Sequence, residues 1–287
     1  MGSDRRAPGI DPIIGVDRLH TLLDSDRPPR LLDVRWALDG STGRGTYREG
    51  HLPGAVYVDL PTELAGAASQ AAGRHPLPDP RHFARTMREA GVGDGDTVVV
   101  YDDTDGSPAA RLVWMLRAVG VEAALLDGGL SAWDGEISRE DPTPEPAEFT
   151  ARPWRTSAIA DIDEVASGRF RVIDARAAER YRGESEPVDP RAGHVPGALN
   201  APFSGNLDDS GRFLRPKKLR RRFQDLGVDR DEDVVVYCGS GVTATHDVLA
   251  LWRAGYPSVR LFPGSWSQWS ADPSRPLATG PEPGAAA

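Results

Sequence analysis

The residues best suited to chemistry form one short loop around the only cysteine of the chain, Cys238. The members of this cysteine loop are Cys238, Gly239, Ser240, Gly241, Val242, Thr243 and Ala244. Glycines allow positive φ angles and close backbone approach, so such a loop can turn its N–H groups inward to hold an anion. A thiolate is a nucleophile, and the persulfide that it forms with a transferred sulfur atom is also an anion. The loop therefore predicts nucleophilic sulfur chemistry.

Two elements must position this loop. The apolar run 234–236 predicts a buried parallel strand. Residues 245–253 predict a helix, because Val248, Leu249 and Trp252 recur at helical spacing. Ligands bind at such strand–helix junctions in open α/β sheets, and the positive end of the helix adds to the field of the loop N–H groups.

Two other interpretations follow from the same residues. A lone cysteine is commonly a buried packing residue. A cysteine phosphatase or arsenate reductase also places its cysteine between a strand and a helix. That chemistry needs an arginine that closes the loop around the phosphate oxygens, and Ala244 and Thr245 stand there instead.

Composition limits the partners. The 287 residues carry a net charge of −9, which disfavours non-specific nucleic-acid binding and binding to an anionic membrane surface. One cysteine excludes an internal disulfide and fits a reducing compartment. No run approaches the roughly 20 apolar residues of a membrane span, and the start of the chain has no apolar secretory segment. We therefore expect a cytoplasmic protein, and the scattered histidines predict neither a metal site nor a cofactor.

The sequence repeats itself. An Asp-x-Arg block occurs at 33–35 and again at 174–176. A Gly-His-x-Pro-Gly-Ala block occurs at 50–55 and again at 193–198. Blocks that recur in the same order over so long a distance indicate a duplicated domain.

Strands alternate with helices in both copies. This order predicts an α/β fold of two tandem domains, each a small parallel sheet flanked by helices. The expected segments are a first domain at 10–140, a proline-rich linker at 141–157, a second domain at 158–278 and a disordered tail at 279–287.

The first copy lacks the cysteine. Asp102 stands at the position equivalent to Cys238, and Asp103 and Asp105 follow it. These carboxylates would repel a bound anion. We therefore expect a non-catalytic first domain that forms one wall of the cleft.

The duplicated blocks, the single cysteine in the second copy and the tryptophan motif at 264–269 resemble the two-domain rhodanese family of sulfurtransferases. The cysteine loop is similar to that of members using 3-mercaptopyruvate, whereas thiosulfate-preferring members typically carry Arg-Lys where Gly239 and Ser240 stand. The resemblance implies that Cys238 accepts a sulfane sulfur as a persulfide, which the N–H groups from Gly239 to Ala244 hold.

The resemblance also implies which residues bind the donor. Arg180 matches an arginine that grips the anionic end of the donor, and a guanidinium can bind a carboxylate through two parallel hydrogen bonds. Members using 3-mercaptopyruvate have a second arginine further along the chain. Counting places Asp189 at that position, and Arg191 is the nearest candidate.

A Ser–His–Asp relay in the same members implies a catalytic role for Ser240, with His75 as the histidine. Pro61 stands at the aspartate position, and Asp59 and Glu63 are close by. Two interpretations stay open: a relay, or a hydrogen-bond donor at Ser240 beside a structural histidine of the cleft wall.

We therefore expect a sulfurtransferase that moves sulfur from 3-mercaptopyruvate to a thiol or to cyanide through a Cys238 persulfide. Thioredoxin is one thiol acceptor that the resemblance implies. The alternatives are a thiosulfate:cyanide sulfurtransferase and a persulfide carrier that docks on a partner protein.

Overall fold

A computed structural model describes residues 9–284. Two segments lie outside the described residues, 1–8 and 285–287. The expectation about a secretory segment depends mostly on the first of them, and the second belongs to the predicted tail. No helix in the described part of the chain is long and apolar enough to cross a bilayer.

The first half of the chain forms one sheet with helices around it. Its strands are β1 (Ile13–Ile14), β2 (Arg30–Asp33), β3 (Val56–Tyr57), β4 (Thr97–Tyr101) and β5 (Glu122–Leu126). Its helices are α1 (Val16–Leu23), α2 (Arg44–Glu49), α3 (Leu60–Glu63), α4 (Pro80–Glu89) and α5 (Ser107–Ala118). The strand order is β1-β5-β4-β2-β3, and every neighbouring pair is parallel. The central strand β4 is apolar almost throughout because helices cover both faces of a parallel sheet.

The second half repeats this plan with four strands. They are β6 (Arg171–Asp174), β7 (Leu199–Asn200), β8 (Val234–Tyr237) and β9 (Val259–Leu261). The helices are α6 (Ile162–Ala166), α7 (Ala178–Tyr181), α8 (Pro216–Asp225), α9 (Ala244–Ala254) and α10 (Ser265–Ala271). Short 3-10 turns occupy Gly129–Ala132, Thr156–Ala158 and Phe203–Asn206. All pairs in the order β7-β6-β8-β9 are parallel, which confirms the predicted α/β fold of two small parallel sheets.

The repeated sequence blocks make the same contacts in both halves. Arg35 pairs with Asp33 at 2.9 Å, and Arg176 pairs with Asp174 at 2.6 Å, with all four side chains buried. Each arginine also donates to the carbonyl of the glycine that opens the Gly-His block. The Asp-x-Arg block thus fastens the end of β2 or β6 to the following loop.

The domains meet along α5 and α9, which pack against each other. Val113 and Leu116 of α5 share one buried cluster with Val248 and Leu251 of α9. The two sheets are therefore held in a fixed relation by a common apolar core, with the cysteine loop beside the contact.

The predicted linker and tail both lie against a domain. Phe149 of the linker is buried, and its ring packs edge-on against Phe83 with the centroids 5.9 Å apart. In the tail, the N–H of Gly280 donates to the Arg182 carbonyl at 2.9 Å, and the Pro283 carbonyl accepts from the Gly197 N–H at 2.7 Å. Residues 280 and 283 thus hydrogen-bond to the second domain, and the disorder expected over 279–287 stays a prediction.

Candidate active site

Cys238 lies directly after β8, where the chain turns toward α9. Its residue is only 1% exposed, and its Sγ accepts a hydrogen bond from the Gly241 N–H at 3.2 Å. The other N–H groups of the cysteine loop after Cys238 have no hydrogen-bond partner among residues 9–284; they belong to residues 239, 240, 242, 243 and 244. A buried loop with free N–H groups offers the donors that an anion on the sulfur needs.

The loop conformation depends on glycine at 241. Gly241 has φ of +77°, in the left-handed region that L side chains rarely adopt. A Cβ at this position would lie 2.5 Å from the Pro263 carbonyl oxygen. Both facts require glycine, and the resulting turn is what brings the Gly241 N–H to the sulfur.

The tryptophan motif at 264–269 anchors the loop from below. The Cys238 N–H donates to the Ser265 hydroxyl at 3.1 Å, and the Cys238 carbonyl accepts from the Trp266 N–H at 2.9 Å. The N–H of Ser267 donates to the Gly239 carbonyl at 2.9 Å. The first turn of α10 thus fixes the backbone on which the thiol stands.

Two arginines, one from each domain, border the residue after the cysteine. A Cβ at Gly239 would lie 3.0 Å from Nη2 of Arg74 and 3.4 Å from Nη1 of Arg180. We call Arg74 and Arg180 the arginine pair. The sequence pointed to Arg180 but not to Arg74, although Arg74 directly precedes the singled-out His75. Its position beside Gly239 depends on how the first domain packs against the second, which the sequence does not show.

Arg191 is not part of this group. All three nitrogens of its guanidinium donate to carbonyl oxygens around the end of α10, at 2.5–3.0 Å; the acceptors are Trp269, Ser270, Asp272 and Arg275. The position of Arg191 does not support the expected role in binding the sulfur donor, because its N–H groups already donate to carbonyl oxygens within the second domain. Asp189, which stands where members using 3-mercaptopyruvate have their second arginine, instead contacts the arginine pair.

His75 and Ser240 meet across the domain contact. His75 Nδ1 lies 2.8 Å from the Ser240 hydroxyl, and the His75 ring packs edge-on against Trp36. Burial, and then the charges of Arg111 and Arg74, lower the pKa of His75 to about 4. The imidazole is therefore neutral near pH 7 and can accept the hydroxyl proton of Ser240 in a hydrogen bond.

Neither of the two carboxylates near the aspartate position of the relay, Asp59 and Glu63, reaches His75. Asp59 caps α3, where its carboxylate accepts from the N–H and the hydroxyl of Thr62 at 3.3 and 2.6 Å. Glu63 accepts from the Asp59 N–H at 2.5 Å. Neither carboxylate is hydrogen-bonded to His75, and Pro61 lies within α3. The structure brings together a Ser–His pair rather than a triad.

Arg111 of α5 is a buried cation beside the cysteine loop that the sequence did not single out. It is fully buried, and its guanidinium donates to the carbonyls of Gly241 at 2.8 Å and His75 at 3.0 Å. Burial lowers its pKa to about 10, so it stays charged at neutral pH. The available signal was a charged residue, Arg111, within the otherwise apolar stretch 108–116 of α5. Arg111 couples the His75 segment to the loop and favours an anion at Cys238.

The equivalent loop of the first domain also turns its N–H groups inward, but its own side chain fills the space. The Asp102 carboxylate accepts from the N–H groups of Thr104, Gly106 and Ala109 at 2.9–3.1 Å. The expectation that this loop cannot bind an anion is thereby refined. The Asp102 carboxyl group itself fills the place that an anion would take, and burial raises its pKa to about 7.

Comparison with known proteins identifies the same domain type in each half of the chain. The family described as Rhodanese-like domain matches residues 15–136 and 160–272. A Pseudomonas aeruginosa protein named probable 3-mercaptopyruvate sulfurtransferase is 44% identical over 261 residues, covering 87% of this chain and 92% of the relative. A Mycobacterium tuberculosis protein named putative thiosulfate sulfurtransferase SseB is 41% identical over 276 residues, covering 93% and 97%.

A solved structure agrees over nearly the whole length. SseA from Escherichia coli, described as a 3-mercaptopyruvate sulfotransferase, matches with a TM-score of 0.77 at 34% identity, over 90% of this chain and 99% of that chain. The two family matches together span most of the sequence, one in each half. This chain belongs to the rhodanese family, with two rhodanese-like domains in tandem.

Proposed function

We propose that this enzyme takes a sulfane sulfur from 3-mercaptopyruvate as a persulfide on Cys238 and passes it to a thiol or to cyanide. The observation that carries the proposal is a thiol in a loop with free N–H groups, next to Gly239, which the arginine pair of Arg74 and Arg180 borders. The names of relatives support sulfur transfer, and two of the three compared proteins are named for mercaptopyruvate.

The first half-reaction uses Cys238 as the nucleophile. Its thiolate attacks the donor sulfur, an S–S bond forms, and the bond between that sulfur and C3 of the donor breaks. The electron pair of the broken bond stays with the carbon, as the enolate of pyruvate. The proton of the donor thiol ends on that carbon, so the products are pyruvate and an anionic persulfide. The free N–H groups of the cysteine loop hold the persulfide charge.

Ser240 and His75 act on the charge that develops on the donor. The keto oxygen of mercaptopyruvate gains negative charge as the carbon–sulfur bond breaks. The Ser240 hydroxyl, now 2.8 Å from His75, can turn to donate to this oxygen, and the neutral His75 can carry a proton between the groups. Sulfite leaving from thiosulfate needs no such assistance, because it departs as a stable anion.

The arginine pair binds the donor carboxylate. Arg74 and Arg180 approach the loop from opposite domains, and both lie beside Gly239. A carboxylate held there places the far end of a three-carbon donor next to Cys238. Bidentate arginine–carboxylate contacts supply orientation as well as binding energy.

The second half-reaction returns the enzyme to its starting state. An acceptor thiolate or cyanide attacks the outer sulfur of the persulfide, the S–S bond breaks, and its electron pair returns to the Cys238 sulfur. Thioredoxin is a proposed thiol acceptor. A cytoplasmic location fits, because a reducing compartment keeps the single cysteine available between turnovers.

Thiosulfate is the second candidate donor, since one relative carries that name. The arginine pair gives it a cationic site, but Gly239 and Ser240 add no further positive charge to the loop. A persulfide carrier without turnover is the third candidate, and its loop would look the same.

Initial rates with the two donors, measured side by side, test the proposal. We expect a higher kcat/KM for 3-mercaptopyruvate than for thiosulfate, and no sulfur transfer from either donor to cyanide by Cys238→Ser. A higher value for thiosulfate would establish the second candidate. If the wild-type protein shows no Cys238-dependent release of sulfur to cyanide or to a thiol, the third candidate, a persulfide carrier, is supported.

A further inference from the structure

One carboxylate lies between the two members of the arginine pair. The Asp189 side chain is 3% exposed, its Oδ2 lies 3.4 Å from Nη2 of Arg180, and its Oδ1 contacts Nη1 of Arg74. The side chains of Arg74 and Arg180 are 28% and 22% exposed. Asp189 therefore occupies the surface that the pair would otherwise offer to an anion.

The charges around the pair already balance without a donor. Glu186 accepts from Arg180 at 2.5 Å, so Arg74 and Arg180 face two carboxylates, those of Glu186 and Asp189. Arg176 also contacts Glu186, but it is paired with Asp174. A donor anion on the pair adds an uncompensated negative charge as long as Asp189 stays in place. Like charges within a few ångströms repel strongly when they are shielded from water.

Arg74 keeps an unused hydrogen-bond donor. Its Nε–H is buried and has no acceptor within residues 9–284, whereas its Nη1 is directed at Asp189. An oxyanion group can take Nε and an Nη of one guanidinium together. A cavity of about 560 Å³ is lined by Arg74, Asp189 and Ser267 among others, so the Asp189 carboxylate has room to turn away from the pair.

We propose that Asp189 is a specificity-determining residue that occupies the arginine pair in the empty enzyme and competes there with the anionic group of the donor. This inference rests on the proposed function, in which the pair binds the donor. Exchange of one carboxylate for another leaves the charge at the pair unchanged when mercaptopyruvate binds. The displaced Asp189 carboxylate stays near the pair, and its charge repels thiosulfate, which carries two negative charges, more strongly than mercaptopyruvate, which carries one. Asp189 therefore weakens the binding of both donors, and that of thiosulfate more.

Alkylation of Cys238 tests the competition without any sulfur transfer. Iodoacetate is an anion and iodoacetamide is its neutral analogue, and the chain has one cysteine to label. Asp189→Asn should raise the ratio of the iodoacetate rate to the iodoacetamide rate by at least about fivefold, which corresponds to about 1 kcal/mol. The control is Glu184→Gln, which removes one charge from an exposed side chain of the same loop and should leave the ratio unchanged.

Donor kinetics supply the second readout. In Asp189→Asn the KM for both donors should fall several-fold at an unchanged kcat, and the ratio of kcat/KM for thiosulfate to that for mercaptopyruvate should rise. An unchanged or lowered alkylation ratio in folded Asp189→Asn overturns the inference, since it assigns Asp189 to positioning the arginines. A raised alkylation ratio in a protein that turns over neither donor supports the competition and contradicts the proposed function.

A reciprocal variant guards against loss of folding. Arg74→Met removes the first-domain member of the pair and should lower the alkylation ratio, the opposite direction to Asp189→Asn. If Asp189→Asn does not fold, the result for Arg74→Met decides. An alkylation ratio in Arg74→Met equal to that of the wild type overturns the inference, because Asp189 would then not compete for an anion-binding site.

Discussion

At the scale of single residues, the contact between Ser240 and His75 separates the two candidate donors. Ser240→Ala removes the hydroxyl that lies 2.8 Å from His75 Nδ1. We expect kcat/KM for mercaptopyruvate to fall by about 10²-fold, the usual contribution of one proton-transfer group. The value for thiosulfate should change much less, because sulfite leaves without forming an enolate. Equal losses for the two donors would show that Ser240 supports the loop rather than the leaving group. Ser131→Ala, at an exposed serine of the first domain, is the control.

The lowered pKa of His75 predicts a pH dependence. The folded protein resists protonation of His75 down to about pH 4, whereas the unfolded chain takes up that proton near pH 6.5. Below pH 6.5 the unfolded state therefore binds more protons, and His75 makes the free energy of unfolding decrease as the pH falls toward 4. Urea unfolding at pH 7 and pH 5 should show a smaller decrease for His75→Gln than for the wild type. Identical decreases would place the pKa of His75 near its ordinary value.

The sequence predicted the nucleophile and its loop, because glycine spacing and a lone cysteine between two apolar segments are local features. It also predicted Arg180, through the resemblance. It did not predict Arg74 or Arg111, since they reach the loop from 164 and 127 positions away, counting 238 − 74 and 238 − 111. It also offered Arg191 as the nearest candidate for a second donor-binding arginine, and this guanidinium instead donates to backbone carbonyl groups at the end of α10.

At the scale of elements, the long segments followed from their apolar patterns. Strand β8 begins at the start of the predicted run 234–236 and extends it by one residue, and α9 extends the predicted helix 245–253 by one residue at each end. The short helices α2, α3, α6 and α7 have four to six residues, fewer than two turns, so they carry no readable periodicity. Two of them have side-chain N-caps, Asp59 at α3 and Asp161 at α6.

The turn between β8 and α9 makes a prediction about glycine. Gly241→Ala combines a positive φ with a Cβ 2.5 Å from the Pro263 carbonyl, so it should lower the free energy of unfolding by about 3 kcal/mol and abolish sulfur transfer. The matched control is Gly227→Ala, which has φ of +80° but no atom within 4 Å of its Cβ. It should cost about 1 kcal/mol and leave transfer intact. Urea unfolding of both variants measures the difference, and equal costs would mean that Pro263 does not fix the loop.

At the scale of the whole molecule, the proposed site uses residues from both copies of the duplicated domain. The cysteine loop belongs to the second domain, while His75, Arg74 and Arg111 reach it from the first. Duplication was readable in the sequence because the structural blocks recur. The difference between the two loops could be predicted only in part. Asp102 showed that the first domain lacks the cysteine, but the sequence did not show that the Asp102 carboxylate fills the loop.

Moving the thiol tests this asymmetry. The double variant Asp102→Cys with Cys238→Ser places a cysteine at the equivalent position of the first domain. We expect no sulfur transfer, because the arginine pair borders the loop of the second domain and Asp103 and Asp105 stand next to the new thiol. Pyruvate release from mercaptopyruvate measures the outcome. Transfer by this variant would show that the loop alone suffices and that the cleft between the domains is dispensable.

The persulfide itself is the most direct test of the account. The wild-type protein is mixed with one equivalent of 3-mercaptopyruvate in the absence of any acceptor, and the intact protein is weighed by mass spectrometry while pyruvate is assayed. The account predicts a gain of the mass of one sulfur atom, located on Cys238, together with one pyruvate per chain, and neither in Cys238→Ser. Pyruvate formed without added mass on Cys238, or formed equally by Cys238→Ser, would contradict it.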